Sequence, residues 1–446
     1  MNLVTTGLER VFALIVLALV FSGAVALFGM PPWLLGFIVL AVITMLLVVY
    51  RFDYLHPTVV FVLPWLTIVG FSMVPISQNA RQLEPDTYKL VLAVILVWML
   101  FTAGAPVRGP DAATAIAPGT QSSQKLKNLQ WLSRGFILLY LLAALNVAVA
   151  GYIPLFSLIL TGDSLYSEFG IPSLYGFFFA YANAIACLAF YIYLKSDNRK
   201  ALYFFLSVTA IHLLFVTRQH LLTLLIESFI IRSFVKAPVS ILRLAIIGIT
   251  GLAALNFLGD LRSGDIRNTI HIADEYSWMP GAAAWLYAYS YFNVLNLENT
   301  MAVSDAPYFD GTMLQTFLPS ILRPEVSHSA IFEIPALNIL SYIYPIYLDI
   351  GVYGVLIFTA ILGFFTAEVY KRALIRRRFG AIAGYSFFYY SALLSFFTAF
   401  WLYLPVVFQL FFFYLFERIF FVHDTVKVIV LTEPGKSLDK DRATFS

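Results

Sequence analysis

The chain has 446 residues, 61% of them hydrophobic and only 12% Asp, Glu, Lys or Arg, about half the charged share of an ordinary soluble domain. With a mean hydropathy of +0.84 and a formal net charge of only +3, this excludes a soluble enzyme, a disordered scaffold and a nucleic-acid reader with a broad basic face. The aromatic share of 17%, with 42 Phe and 26 Tyr, fits lipid-facing helices with interfacial belts.

Apolar runs of about 20 residues, enough to cross the hydrocarbon core as helices, predict an all-α polytopic integral membrane protein, one membrane domain over 1–446 with about twelve spans. The first, 11–29, carries an Ala-Val-Ala after its apolar stretch, as a signal peptide would. A second run starts at once at Pro32, so an uncleaved helix is expected. Spans follow at 32–50, 57–76 and 87–106, then a segment at 107–130 rich in Gly, Ala, Ser and Thr, read as a flexible cytoplasmic linker. Next come 135–153, 173–194, 201–217, 219–232 and 238–258. An outer segment at 259–347 is too long for a plain loop. Within it, 280–296 is aromatic-rich behind Pro280, which predicts a helix lying at the membrane interface. The final spans are 348–370, 382–400 and 403–422, the last two parted near Leu402–Pro405, and 423–446 is a cytoplasmic tail. No repeat of fixed period and no inverted symmetry is visible.

With the N-terminus placed in the cytoplasm, 22 of the 28 Lys and Arg residues fall on the cytoplasmic side, as the positive-inside rule requires. Arg81, Lys89, Arg218, Arg262, Arg267 and Arg323 remain outside. Arg81 and Lys89 stand beside Glu84 and Asp86 in a polar loop and read as solvated charges. The single cysteine, Cys187, lies in an apolar run and reads as a small buried hydrophobe.

Arg218 lies in Thr217-Arg-Gln-His220 between two apolar runs with almost no loop. It either snorkels to the interface or marks a functional site, because charge at that depth is costly unless paired. His220 is a second ligand, an acid-base group or a plain interfacial histidine. Asp260, Arg262, Asp265 and Arg267 follow the 238–258 span. They either pair with one another or face the phosphates of a lipid-linked substrate, which the planar guanidinium fork suits. Arg323 is a third isolated outer arginine, followed by Glu325 and His328. Asp349 enters the 348–370 span ahead of Gly351 and Gly354. Close helix packing explains the glycines and the helix dipole favours the acid; neither accounts for Asn338, Ser341 and the surrounding tyrosines, Tyr342 and Tyr347 among them. The chain has no phosphate-binding loop, dinucleotide fingerprint, HExxH or Cys pair. The sequence requires no metal and no cofactor, and nothing points to nucleic acid.

Four segments give the chain a family resemblance: Gly151-Tyr-Ile-Pro154 with Tyr166-Ser-Glu-Phe-Gly170-Ile-Pro172; Thr217-Arg218-Gln219; Leu318-Pro319-Ser320 with Arg323-Pro324; and Asn338, Ser341 and Asp349-x-Gly351-x-x-Gly354. Together, across residues 140–370, they resemble the bacterial oligosaccharide repeat-unit polymerases, the O-antigen polymerase family. The related O-antigen ligases carry a His-Asn pair upstream of Glu-x-Gly-x-x-Gly; here the acid is Asp349 and no such His precedes it, which favours polymerase. The resemblance implies a C-type membrane glycosyltransferase at the outer face of the bacterial inner membrane, with both termini cytoplasmic. It would transfer a growing glycan from undecaprenyl diphosphate to an incoming lipid-linked repeat unit, in surface-polysaccharide (O-antigen, capsule or exopolysaccharide) synthesis. The lipid-linked oligosaccharide, membrane lipid and a chain-length regulator protein are the implied partners.

In that reading Arg218, Arg262, Arg323 and Arg267 stabilise the diphosphate leaving group. Asp349, Asp260, His220 and His328 compete to activate the acceptor hydroxyl. Asn338, Tyr342 and Tyr347 contact the substrate. A transporter of lipid-linked oligosaccharides, an O-antigen ligase-like enzyme and a structural subunit of an export assembly are the rival readings.

Overall fold

The structure, a computed structural model, describes residues 32–108, 125–126, 129–162, 169–236, 264–319, 322–326, 328 and 330–422, with scattered positions between 239 and 253. The expected span 11–29, most of 238–258 and the tail 423–446 lie outside the described residues.

The described chain is that of an all-α membrane protein. Its helices are α1 (Pro32–Val49), α2 (Pro57–Ser72), α3 (Pro85–Thr102), α4 (Leu129–Ala150), α5 (Pro154–Thr161), α6 (Leu174–Ser196), α7 (Arg199–Leu214), α8 (Arg218–Val235), α9 (Ile266–Thr269), α10 (Gly281–Val303), α11 (Ile343–Arg376), α12 (Phe379–Leu393) and α13 (Leu404–Phe420). Lys125–Leu126 pairs antiparallel with Phe421–Val422, tying part of the 107–130 segment to the end of α13. Among the described residues, four stretches are long and apolar enough to cross a membrane: Pro85–Thr102, Gln130–Thr161, Leu174–Ser196 and Ile343–Arg376.

Local chemistry sets the boundaries. Pro57, Pro85 and Pro154 open their helices in the first turn, where a missing N–H costs nothing. Asn198 caps α7 by accepting the N–H of Lys200 at 3.0 Å. The break expected near Leu402–Pro405 is wider, for α12 already ends at Leu393 and a short 3₁₀ turn at Phe400–Leu402 precedes α13.

α6 and α12 form the centre. α6 packs on α4, α7, α8 and α13, and α12 packs on α2, α8, α11 and α13. Polar links hold helices together where lipid supplies no hydrophobic drive: Trp98 Nε1 donates to the Pro57 carbonyl at 3.0 Å, and Trp65 Nε1 to Ser395 Oγ at 2.9 Å. The segment expected to lie at the interface forms α10, but it is no one-sided surface helix. Residues 291–298 are buried without interruption, and the helix packs on α2.

Candidate functional site

The turn between α7 and α8, the start of α6, the loop 304–342, the start of α11 and the start of α13 meet at one end of the bundle. Here the structure brings together residues far apart in sequence.

The centre of the site is a pair of carboxylates. Asp349 sits in α11 just before Gly351, where the helix kinks through φ 68 and ψ −172. Only glycine adopts that conformation without penalty, so Gly351 breaks the helix beneath the acid. Gly354 leaves room for Ile350 of its own helix, whose side chain a Cβ would meet at 2.2 Å. Asp349 Oδ1 accepts the Thr312 N–H and Oδ2 the Met313 N–H, both at 2.8 Å. Asp310, on the same loop, accepts the Thr312 hydroxyl at 2.6 Å, and its carboxyl lies near enough to that of Asp349 for each to act on the other's ionisation. Partial burial pushes the Asp310 pKa up. The Thr312 hydroxyl, the Asp349 carboxyl, the Thr312 N–H and the charge of His328 outweigh it and hold Asp310 below the ordinary carboxylate value. His328 is fixed by stacking on Tyr308 at 3.5 Å between ring centres, and the Tyr308 N–H donates to the Leu348 carbonyl at 2.8 Å.

The same loop carries a cation, Arg323. Pro324 covers Gly311, the residue after Asp310; a Cβ on Gly311 would meet Pro324 Cγ at 2.9 Å. Gln315 donates to the Pro324 carbonyl. The neighbouring Arg323 is exposed, bonds the Leu318 carbonyl through Nε at 3.2 Å, and makes no ion pair among the described residues. The loop then docks on the start of α13, where the Leu404 N–H donates to the Thr316 carbonyl at 2.9 Å. Arg323 is close enough to act on the Tyr403 hydroxyl.

Tyr403 leads to the Arg218 side, its ring 6.3 Å from that of His220. His220 is buried, stacks on Phe179 at 3.9 Å, and has no hydrogen-bond partner for Nδ1 among the described residues. Asn183 bridges the two histidines, its Nδ2 donating to the His220 carbonyl at 3.3 Å and its Oδ1 lying 2.7 Å from His212 Nε2. Half-buried Arg218 opens α8 behind Val216, whose φ of 54 is an outlier for a β-branched residue. Phe169, in the Tyr166-Ser-Glu-Phe-Gly170-Ile-Pro172 segment, packs on Phe215 at 4.7 Å. Seven residues beyond His220, buried Glu227 accepts the Cys187 thiol at 3.4 Å. Gln409, with its amide nitrogen facing the carboxylate, donates to Glu227 at 2.7 and 3.0 Å.

The other expected site residues are placed differently. Arg267 closes onto Asp265 instead of facing a diphosphate, with Nε at 2.9 Å and Nη2 at 2.6 Å. Its hydrogen bond holds the Asp265 pKa down. Tyr342 is fully buried and gives its hydroxyl to Thr359 at 2.6 Å, with Trp401 edge-on at 5.3 Å. Tyr347 is buried as well. Asn338 is exposed between Leu337 and Ile339, whose carbonyls are held by Asn296. Asp260 and Arg262 lie outside the described residues. Arg81 pairs with Glu298 at 3.3 Å, and the Glu84 N–H bonds the same carboxylate at 2.6 Å, joining α3 to α10.

Sequence reasoning missed Asp310. Its signal was the Asp310-Gly-Thr312 turn, in which an Asp side chain bonds the backbone two residues on. It also passed over Glu227, whose signal was a lone acid inside an apolar run. Among the described residues, no cluster of three or more His, Cys, Asp or Glu is placed to hold a metal ion. No protein-family model, curated protein or solved structure matches this chain.

Proposed function

We propose that this chain is a membrane glycosyltransferase of the oligosaccharide repeat-unit polymerase kind. It joins undecaprenyl-diphosphate-linked repeat units at the outer face of a bacterial inner membrane, with about twelve spans and both termini cytoplasmic. The observation that carries the reading is the convergence on one loop, residues 308–328, of a carboxylate pair and an exposed arginine. Asp310 faces Asp349, and Arg323 stands beside Gly311 through Pro324.

Glycan transfer from a lipid diphosphate needs two things. The acceptor hydroxyl must lose its proton as the glycosidic bond forms, and the departing diphosphate must be met by positive charge. Asp310, whose Oδ2 has no hydrogen-bond partner among the described residues, is the base of the pair, and Asp349 positions it. His328, stacked on Tyr308, is one of the groups that hold the Asp310 pKa down. Arg323, with Arg218 across Tyr403, takes the diphosphate. The aromatic residues around the loop offer faces for sugar rings, and a chain-length regulator would approach from the same side.

The test is reconstitution of the purified chain with lipid-linked repeat units in proteoliposomes. Release of undecaprenyl diphosphate with a ladder of products is expected, and Arg218→Ala should leave single-repeat intermediates to accumulate. Movement of intact lipid-linked units between leaflets with no product ladder would replace this reading with a transporter.

A further inference from the structure

The end of the bundle opposite Asp349 holds a second concentration of charge. Arg108 is 8% exposed. Its backbone N–H donates to Asp53 Oδ2 at 2.9 Å and its Nη1 to the Ser233 carbonyl at 2.7 Å. Its guanidinium lies 5.7 Å over the Phe234 ring. Nε is buried and has no partner among the described residues. One edge of the guanidinium is therefore anchored while a desolvated donor is left over, and such a donor is costly to leave unmade.

Three more cations converge on it. Phe234, under Arg108, lies two residues before Lys236. Tyr370 donates to Asp53 at 2.6 Å and lies two helical turns before Arg377. Lys195 sits 6.0 Å over the Tyr191 ring, and Tyr191 is 5.4 Å from Phe379, two residues past Arg377. Arg108 and Arg377 stand close enough to repel one another, as do Lys195 and both Arg377 and Lys236. Among the described residues, Asp53 accepts from Arg108, Tyr370 and the Leu55 N–H, and Glu417 accepts the Gly380 N–H at 2.8 Å. A cation at each helix C-terminus is favoured by the macrodipole, which accounts for Lys195, Lys236 and Arg377 singly. It does not account for a buried arginine between them.

We propose that Arg108, Arg377, Lys195 and Lys236 form a binding site for the phosphate of an anionic membrane phospholipid, with Arg108 at its floor and the exposed lysines at its rim. Guanidinium donors suit phosphate oxygens, and basic pockets between helix ends at a membrane surface hold anionic headgroups. The inference rests on the membrane fold and is independent of glycan chemistry.

The test is native mass spectrometry of the full chain in neutral detergent, titrated with phosphatidylglycerol or phosphatidylcholine. Phosphatidylglycerol should bind preferentially, and affinity should fall about five-fold for each cation removed in Lys195→Gln, Lys236→Gln and Arg377→Gln. Arg372→Gln, which removes an exposed cation paired with Glu368 at 3.0 Å, should change nothing. If Arg108→Gln fails to fold, the exposed lysine variants still decide the matter. Equal binding of both lipids, equal loss in Arg372→Gln, or binding of inorganic phosphate without phosphatidylglycerol would each overturn the proposal.

Discussion

Asp310 and Asp349 share one backbone donor: the N–H of Thr312 lies 3.1 Å from Asp310 Oδ1 and 2.8 Å from Asp349 Oδ1. A single peptide group therefore fixes the spacing of two acids that are 39 positions apart in the chain. The arrangement separates their tasks, since Asp349 spends both oxygens on the backbone while Asp310 Oδ2 has no hydrogen-bond partner among the described residues.

The two acids should therefore respond differently to substitution. Asp349→Asn replaces an acceptor oxygen with a donor facing a backbone N–H, which costs about 1–3 kcal/mol, and thermal denaturation should show that loss together with lost activity. Asp310→Asn leaves the helix packing alone and gives up only the local hold that the ionised carboxylate has on its loop. It should leave the denaturation temperature nearly unchanged while glycan polymerisation falls by about 100-fold or more. Equal stability losses in the two variants would contradict the division.

Arg323 makes no ion pair among the described residues, so its removal should be felt in chemistry rather than folding. Arg323→Ala should reduce the rate of undecaprenyl diphosphate release by roughly 100-fold, and Arg323→Lys should recover only part of it because the ammonium lacks the bidentate fork. Rates equal to the parent in Arg323→Ala would remove this residue from the diphosphate site.

Acid should loosen the same loop. The Asp310 pKa is held below its unfolded value, so its contribution is fully present above the ordinary carboxylate pKa and is lost as pH falls through the depressed folded value. Protease protection of residues 304–326, followed between about pH 5 and pH 2, should decline in the parent chain and show no such step in Asp310→Asn.

Gly311→Ala tests the seat of Arg323. Gly311 has φ 83, and an added Cβ would meet Pro324 at 2.9 Å. Left-handed strain alone is about 1–2 kcal/mol, and displacement of Pro324 would move Arg323 away from the carboxylates. The variant should lose polymerisation more than it loses global stability, measured by parallel activity and denaturation assays.

The helices were readable because spans in lipid are written as apolar runs, and α3, α4, α6 and α11 lie where those runs predict. α10 was harder. Its Trp and Tyr residues suit an interfacial belt and a buried helix equally, and only packing on α2 distinguishes the two. The arginines at the site end stood out because they oppose the charge bias of the rest. Asp310 did not, since an Asp-Gly-Thr sequence is an ordinary turn until a second carboxylate from another helix is brought against it. Tyr342 misled for the converse reason: proximity to Asp349 in sequence placed it with the acid, whereas the helix turns its ring toward Trp65 and Trp401.

The contacts of α2 bear on how the protein is made. Asp53, Leu55 and Trp65 take their partners from Tyr370, Tyr385 and Ser395, residues that leave the ribosome more than 300 positions later. Until then an early helix waits in the bilayer with its indole N–H unmatched, and with the carboxylate and carbonyl ahead of it still short of their tyrosine partners. Nascent chains stopped before residue 370 should therefore be held by the insertion machinery or recognised by membrane proteases, and completion of the C-terminal helices is the step that releases the protein as a finished fold.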